Sequence, residues 1–166
     1  MFTEIAITGT RRVPVTFDCT ELFENTLRPF IVAPNVVRRL NSDHVARVFV
    51  GGAVGIDTEA LYWLADHTMA KIVVVVPWTV ADQPINAQEA IYHAQTIGRV
   101  EDVVELKADH RGPDAYHARN RYMVDHAELV IGFPLRITYP DPRQGGTWAT
   151  LNYADSRDKP VLIHPY

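Results

Sequence analysis

The feature that most constrains this chain is a set of short segments that are apolar nearly throughout, not at every second position. They fall at residues 5–8, 45–50, 72–76, 103–106, 129–133 and 161–164, and Ile72-Val73-Val74-Val75-Val76 contains no polar residue at all. A strand with one wet face alternates polar and apolar side chains. A strand covered on both faces has no reason to, and such covering is typical of parallel sheets flanked by helices.

The intervening stretches carry the helical period. Residues 56–69 place Ile56, Ala60, Leu61, Leu64 and Ala65 on one stripe, and residues 83–97 do the same with Ala87, Ala90, Ile91, Ala94 and Ile97, ahead of a stop at Gly98. Asp114 after Pro113 predicts a helix over residues 114–127, and residues 147–156 predict a last one that ends before Lys159-Pro160. Strand and helix in repeated alternation predict a single α/β Rossmann-like domain over residues 1–166. Its sheet is expected to be mostly parallel, of about six strands, with helices on both faces.

Residues 13–41 follow the pattern less closely. Asp18 and Glu21 mark a helix start, but Pro29 and Pro34 would break one long helix. Two short helices, or one helix and an irregular piece, are expected there, preceded by an extended Val13-Pro14-Val15.

The 166 residues suffice for one well-buried core, and the formal charge of −4 (16 Lys and Arg against 20 Asp and Glu) argues against a protein built chiefly to wrap a nucleic-acid backbone. Thirteen of the 16 basic residues are arginine, the side chain suited to bidentate phosphate or carboxylate recognition, although GC-rich coding would give the same bias. Cys19 is the one cysteine, so no intrachain disulfide forms. With no leader-like start and no apolar run long enough to cross a bilayer, a cytoplasmic protein without membrane contact is expected. A homodimer is the default expectation for its assembly.

In an open parallel sheet, ligands sit at the carboxyl ends of the strands. Three glycine-containing turns fall there: Gly9-Thr10-Arg11 after the first strand, Gly51-Gly52-Ala53-Val54-Gly55-Ile56-Asp57 after the second, and Gly145-Gly146-Thr147 opening the last helix. Glycine lets a backbone approach a ligand closely, and a helix N-terminus offers free N–H groups to an anion. Each turn alone also reads as a tight strand-to-helix connection; together with Arg11 and Arg12 they point to a phosphate-bearing ligand. Arg119-Asn120-Arg121 could clamp phosphate and bond a ribose or base, but successive helical residues diverge by about 100°, so both guanidiniums cannot point the same way. The plainer alternative pairs Arg121 with Asp125. Asp57 reads either as a ligand residue or as a helix cap, and Trp78 either as a base-stacking surface or as a cover for the sheet edge. No His or Cys spacing suggests a metal, and no cofactor is expected.

Taken in order, Ile7-Thr8-Gly9-Thr10-Arg11, the segment from Gly51 to Asp57, Arg119-Asn120-Arg121-Tyr122-Met123-Val124-Asp125, Gly145-Gly146-Thr147, and Ala154 before Lys159-Pro160-Val161 resemble the SLOG superfamily of Rossmann-like domains. The resemblance is nearest to its YspA/YpsA-related and DprA-like branches and runs over nearly the whole chain. It implies a nucleotide-binding fold whose ligand lies over the glycine turns, with Gly9, Arg11, Gly52, Asp57, Arg119, Asn120, Gly146 and Thr147 at the site. Thr10, Gly51 and Gly145 complete the candidate set. Two departures stand out. The usual Gly-Ser-Arg is Gly9-Thr10-Arg11, which keeps the hydroxyl. The Pro-Gly-Gly-x-Gly-Thr-x-x-Glu motif of the superfamily's phosphoribohydrolases places Thr150 where the glutamate would stand. The expected function is therefore binding of a nucleotide or nucleotide-derived small molecule. N-glycosidic hydrolysis of nucleoside monophosphates, with Asp57 or Glu59 as the carboxylate, and DprA-like single-stranded DNA binding are the alternatives.

Overall fold

The computed structural model describes residues 2–31, 45–135 and 145–166. In chain order they form β1 (Glu4–Gly9), α1 (Cys19–Thr26), β2 (Arg47–Gly51), α2 (Ile56–His67), β3 (Lys71–Val76), α3 (Ile85–Thr96), β4 (Val100–Glu105), α4 (Pro113–His126), β5 (Leu129–Phe133), α5 (Gly146–Ser156) and β6 (Val161–Ile163). The strands make one six-stranded sheet in the order β4-β3-β2-β1-β5-β6, and every neighbouring pair is parallel.

That order explains the uniformly apolar strands. Ile5, Ile7, Val48, Val50, Ile72, Val74 and Ile131 face α1, α2 and α3, while Ala6, Phe49, Val73, Val75 and Val130 face α4 and α5. Each interior strand buries both sets of side chains, at about 1.5–3 kcal/mol for each fully buried Val, Leu, Ile or Phe. The chain first walks outward from β1 to β4, then crosses back to β5 and walks the other way to β6. Right-handed crossovers therefore put the first three helices on one face and the last two on the other. The direction reverses between β1 and β5, and there the connections diverge and leave a crevice.

Local signals set most helix ends. The Asp18 carboxylate caps α1 by accepting from the N–H groups of Thr20 (2.8 Å) and Glu21 (3.1 Å). Gly98 takes a positive φ of 77° just past α3, as its reading as a stop requires. Other ends differ from the expectation. Helix α3 begins at Ile85, not Gln83, because Pro84 holds Gln83 extended. Helix α4 takes Pro113 into its first turn with Gly112 at the cap, so Asp114 lies inside the helix and does not cap it. Val15 is not extended: Pro14 to Phe17 is a turn closed by a 2.9 Å bond from the Phe17 N–H to the Pro14 carbonyl. The second half of the Pro29/Pro34 segment lies outside the described residues. Among the described residues, no helix is long and apolar enough to cross a membrane.

Candidate functional site

A cleft of about 510 Å³ opens at the carboxyl ends of β1 and β5, between α4 and α5. Its volume is in the ordinary range for small-molecule sites. Gly9, Thr10 and Arg11 form one side, Pro134, Leu135, Gly145, Gly146 and Thr147 the other, and Asp57, Arg119 and Asn120 the floor. The last helix approaches this closely because β5 carries Gly132: a Cβ there would lie 2.8 Å from Leu151 Cδ1.

Of the candidate residues, all but Gly51 and Gly52 line the cleft. A Cβ on Gly51 would lie 2.5 Å from Asp57 Oδ2 and 2.6 Å from Arg119 Cζ, so this glycine makes room for the buried ion pair of the floor. A Cβ on Gly52 would meet Val76 Cγ1 at 2.7 Å, on the core side of the sheet under α3. Gly55 has φ 85° and caps α2, where a Cβ would press on the backbone of Arg11 at 2.7 Å. The glycines of the second turn thus serve packing, while its Ala53 and Asp57 line the cleft. Gly9 lines the cleft and is also closely packed, a Cβ there pressing on Ile56 Cγ1 at 2.7 Å, whereas Gly145 and Gly146 have open space beside them.

Asp57 is 5% exposed and Arg119 6%. Arg119 Nη1 donates to Asp57 Oδ2 at 3.3 Å, and Arg119 Nε donates to Asn120 Oδ1 at 2.8 Å. The Arg119 Nη2 nitrogen has no hydrogen-bond partner among the described residues. Asp57 sits inside the first turn of α2, with Gly55 at the cap, and its carboxylate accepts the Arg119 bond. Burial pushes its pKa up to about 6, against the pull of the Arg119 and Arg11 guanidiniums. Burial also lowers the pKa of Arg119, with Asp57 opposing.

Asn120 Nδ2 donates to Thr150 Oγ1 at 2.7 Å, and Thr150 Oγ1 donates to the Gly146 carbonyl at 2.8 Å. A buried polar line therefore runs from the β2–α2 turn through α4 to the first turn of α5. Thr150 holds that line together at the position where the resemblance places a glutamate in the phosphoribohydrolases. Glu59, the other carboxylate considered, is exposed beside Cys19 and Tyr62 on the α1–α2 side, away from the cleft.

Arg119 points inward and Arg121 outward, as their helical offset requires. Arg121 lies 5.9 Å above the Tyr153 ring and is not paired with Asp125, which instead accepts from the Tyr153 hydroxyl at 2.9 Å. Arg12 is exposed and outside the cleft. Trp78 is outside it too: its ring packs edge-on against Tyr116 at 5.3 Å and lies under Arg111. Cys19 is buried on α1, and burial pushes its thiol up to about 11. Among the described residues there is no group of three or more His, Cys, Asp or Glu side chains placed to hold a metal ion.

Tyr116, His117, Met123 and Trp148 also line the cleft, and sequence reasoning did not single them out. The Arg11 guanidinium lies 4.4 Å above the Tyr116 ring. The signal that would have found Tyr116 is its spacing: it stands three residues before Arg119, on the same face of the same helix.

No protein-family model matches the chain. A curated relative in Bacillus subtilis (strain 168), the uncharacterized SPbeta prophage-derived protein YoqJ, is 22% identical over 130 residues, 69% of this chain and 72% of that protein. The structure is similar to one of DNA processing protein A from Helicobacter pylori, described for its unique single-stranded DNA binding mode, with TM-score 0.63 and 22% identity over 98% of this chain. This chain spans 65% of the length of that one. At such identity the likeness establishes a shared Rossmann-like fold.

Proposed function

We propose that the chain binds a nucleotide or nucleotide-derived small molecule in the β1/β5 cleft, phosphate first, as a member of the SLOG superfamily. The observation that carries this reading is Arg119. It is buried in the cleft floor, two of its nitrogens are fixed by Asp57 and Asn120, and Nη2 is left without a partner among the described residues. Nη2 is not among the fully buried unpaired atoms, so it opens on the cleft, where an anionic ligand would accept a charge-assisted bond from it. The first turn of α5, capped only by Gly145, supplies backbone donors and a partial positive charge on the opposite wall. Arg11 supplies a second guanidinium at the mouth, and the Tyr116 and Trp148 rings give an apolar surface for a base.

A second reading, single-stranded DNA binding, is favoured by the likeness to DNA processing protein A. The same cleft would then hold one nucleotide of a longer strand, against an overall charge of −4.

Thermal unfolding in the presence of nucleoside mono-, di- and triphosphates, NAD, ADP-ribose and short single-stranded DNA separates the two. A ligand at 100 times its Kd adds about 2.7 kcal/mol, or roughly 5–10 °C for a domain of this size. A shift with a mononucleotide supports the first reading. A shift with the oligonucleotide alone, falling steeply with salt, supports the second. No shift with any of them refutes both.

A further inference from the structure

Asn120 is among the residues expected to touch the ligand, yet its amide is already engaged: the oxygen accepts from Arg119 Nε and the nitrogen donates to Thr150 Oγ1. Thr150 is 2% exposed and passes the connection on to the Gly146 carbonyl. Gly145 and Gly146 have open space where their side chains would be, and no side chain caps the helix. The first turn of α5 is thus held in place through Thr150, and Thr150 is held to α4 by Asn120.

Resting on the nucleotide reading above, we propose that Asn120 and Thr150 are positioning residues that lock the Arg119 guanidinium and the first turn of α5 into one rigid phosphate cradle. The two halves of the cradle come from different helices, α4 and α5, which share a core cluster through Met123, Val124, Leu151 and Ala154. One buried hydrogen bond, from Asn120 to Thr150 at 2.7 Å, ties the two helices beside the cleft, and a second, from Thr150 back to the Gly146 carbonyl at 2.8 Å, fixes that hydroxyl within the first turn of α5. Preorganised donors do not have to be ordered when the anion arrives, so more of their interaction energy appears as affinity. Phosphate recognition should then depend on a threonine hydroxyl that never meets the phosphate.

Thr150→Val keeps the shape of the side chain and removes both bonds, whereas Thr150→Ser keeps the hydroxyl. The probes are AMP, GMP, CMP and UMP, each beside its own nucleoside, titrated by calorimetry at a temperature where all variants are folded. The expected result is a loss of at least tenfold in nucleotide affinity in Thr150→Val, less than threefold for the matching nucleoside, and near-wild-type binding in Thr150→Ser. Equal losses for nucleotide and nucleoside, or no loss, would overturn the positioning role. A second measurement does not depend on binding. In Thr150→Val, hydrogen exchange at the Ala149 amide, which is bonded to the Gly145 carbonyl at 3.0 Å, and at Arg119 Nε–H should rise together by tenfold or more. If wild type binds none of the probes, the nucleotide reading fails. Unchanged exchange would overturn the lock whether or not any probe binds.

Discussion

The Asp57–Arg119 pair sets two effects against each other, and a pH series on Asp57→Asn decides between them. Desolvation disfavours the carboxylate, while Arg119 at 3.3 Å favours it; desolvation prevails, and the Asp57 pKa stands at about 6 against 3.8 for a free aspartate. Between those values the native protein holds a proton that the unfolded chain has lost. The contribution of Asp57 to stability is therefore fully present below pH 3.8 and is lost as pH rises through 6. A shift of about two units at about 1.4 kcal/mol each corresponds to about 3 kcal/mol. The carboxamide that replaces the carboxyl in the variant does not titrate, so wild type should lose about 2 kcal/mol of this relative to it between pH 4 and pH 7. Urea denaturation of both proteins at half-unit pH steps measures this difference. Glu24, Glu101 and Glu128, whose pKa values are lowered, act in the opposite sense but equally in both proteins, and they cancel in the comparison. A gap constant across pH would refute the reasoning, and a gap that moves in favour of wild type as pH rises would show that the Arg119 attraction prevails.

The packing around the cleft sets two further expectations. Gly51→Ala forces a Cβ to within 2.5 Å of Asp57 Oδ2, so it should separate the buried pair and lower stability by about 3–5 kcal/mol. Gly146→Ala, with open space at its Cβ, should change stability by less than about 1 kcal/mol, and chemical denaturation distinguishes the two. Arg11→Ala removes an exposed guanidinium that stacks on Tyr116 at 4.4 Å, so unfolding should change by no more than about 1 kcal/mol. Nucleotide affinity should fall by roughly tenfold or more, the usual worth of a hydrogen bond to a charged group, and calorimetry beside a melting curve checks both halves.

The sheet was legible because its cause is local. A strand buried on both faces must be apolar along its length, and Ile72 to Val76 shows this without any knowledge of neighbours. Edge strand β4 begins at Val100, ahead of the apolar run at 103–106, because Glu101 and Asp102 are exposed and carry no such pattern. The α1 cap at Asp18 and the stop at Gly98 were legible for the same reason as the inner strands: each depends only on residues one to four positions away.

The glycines show where a local reading stops. All three turns look alike in sequence, yet Gly9 and Gly145 line a cleft whereas Gly51 and Gly52 do not, and Gly9 meets Ile56 as closely as Gly52 meets Val76. What separates them is strand order. β1 and β5 flank the point where the chain reverses direction, so their turns are parted by a crevice, while the β2 turn is closed over by α2 and α3 on the way outward to β3. That order is a property of the whole sheet, and no short window of sequence contains it. The same holds for Arg119 and Asn120. Helical geometry says that adjacent residues diverge, and the backbone obeys; but the Arg119 side chain is long enough for its Nε to return to Asn120 Oδ1. Two neighbours that diverge along the helix thus meet at the cleft floor, where the Asn120 amide holds the Arg119 guanidinium in place.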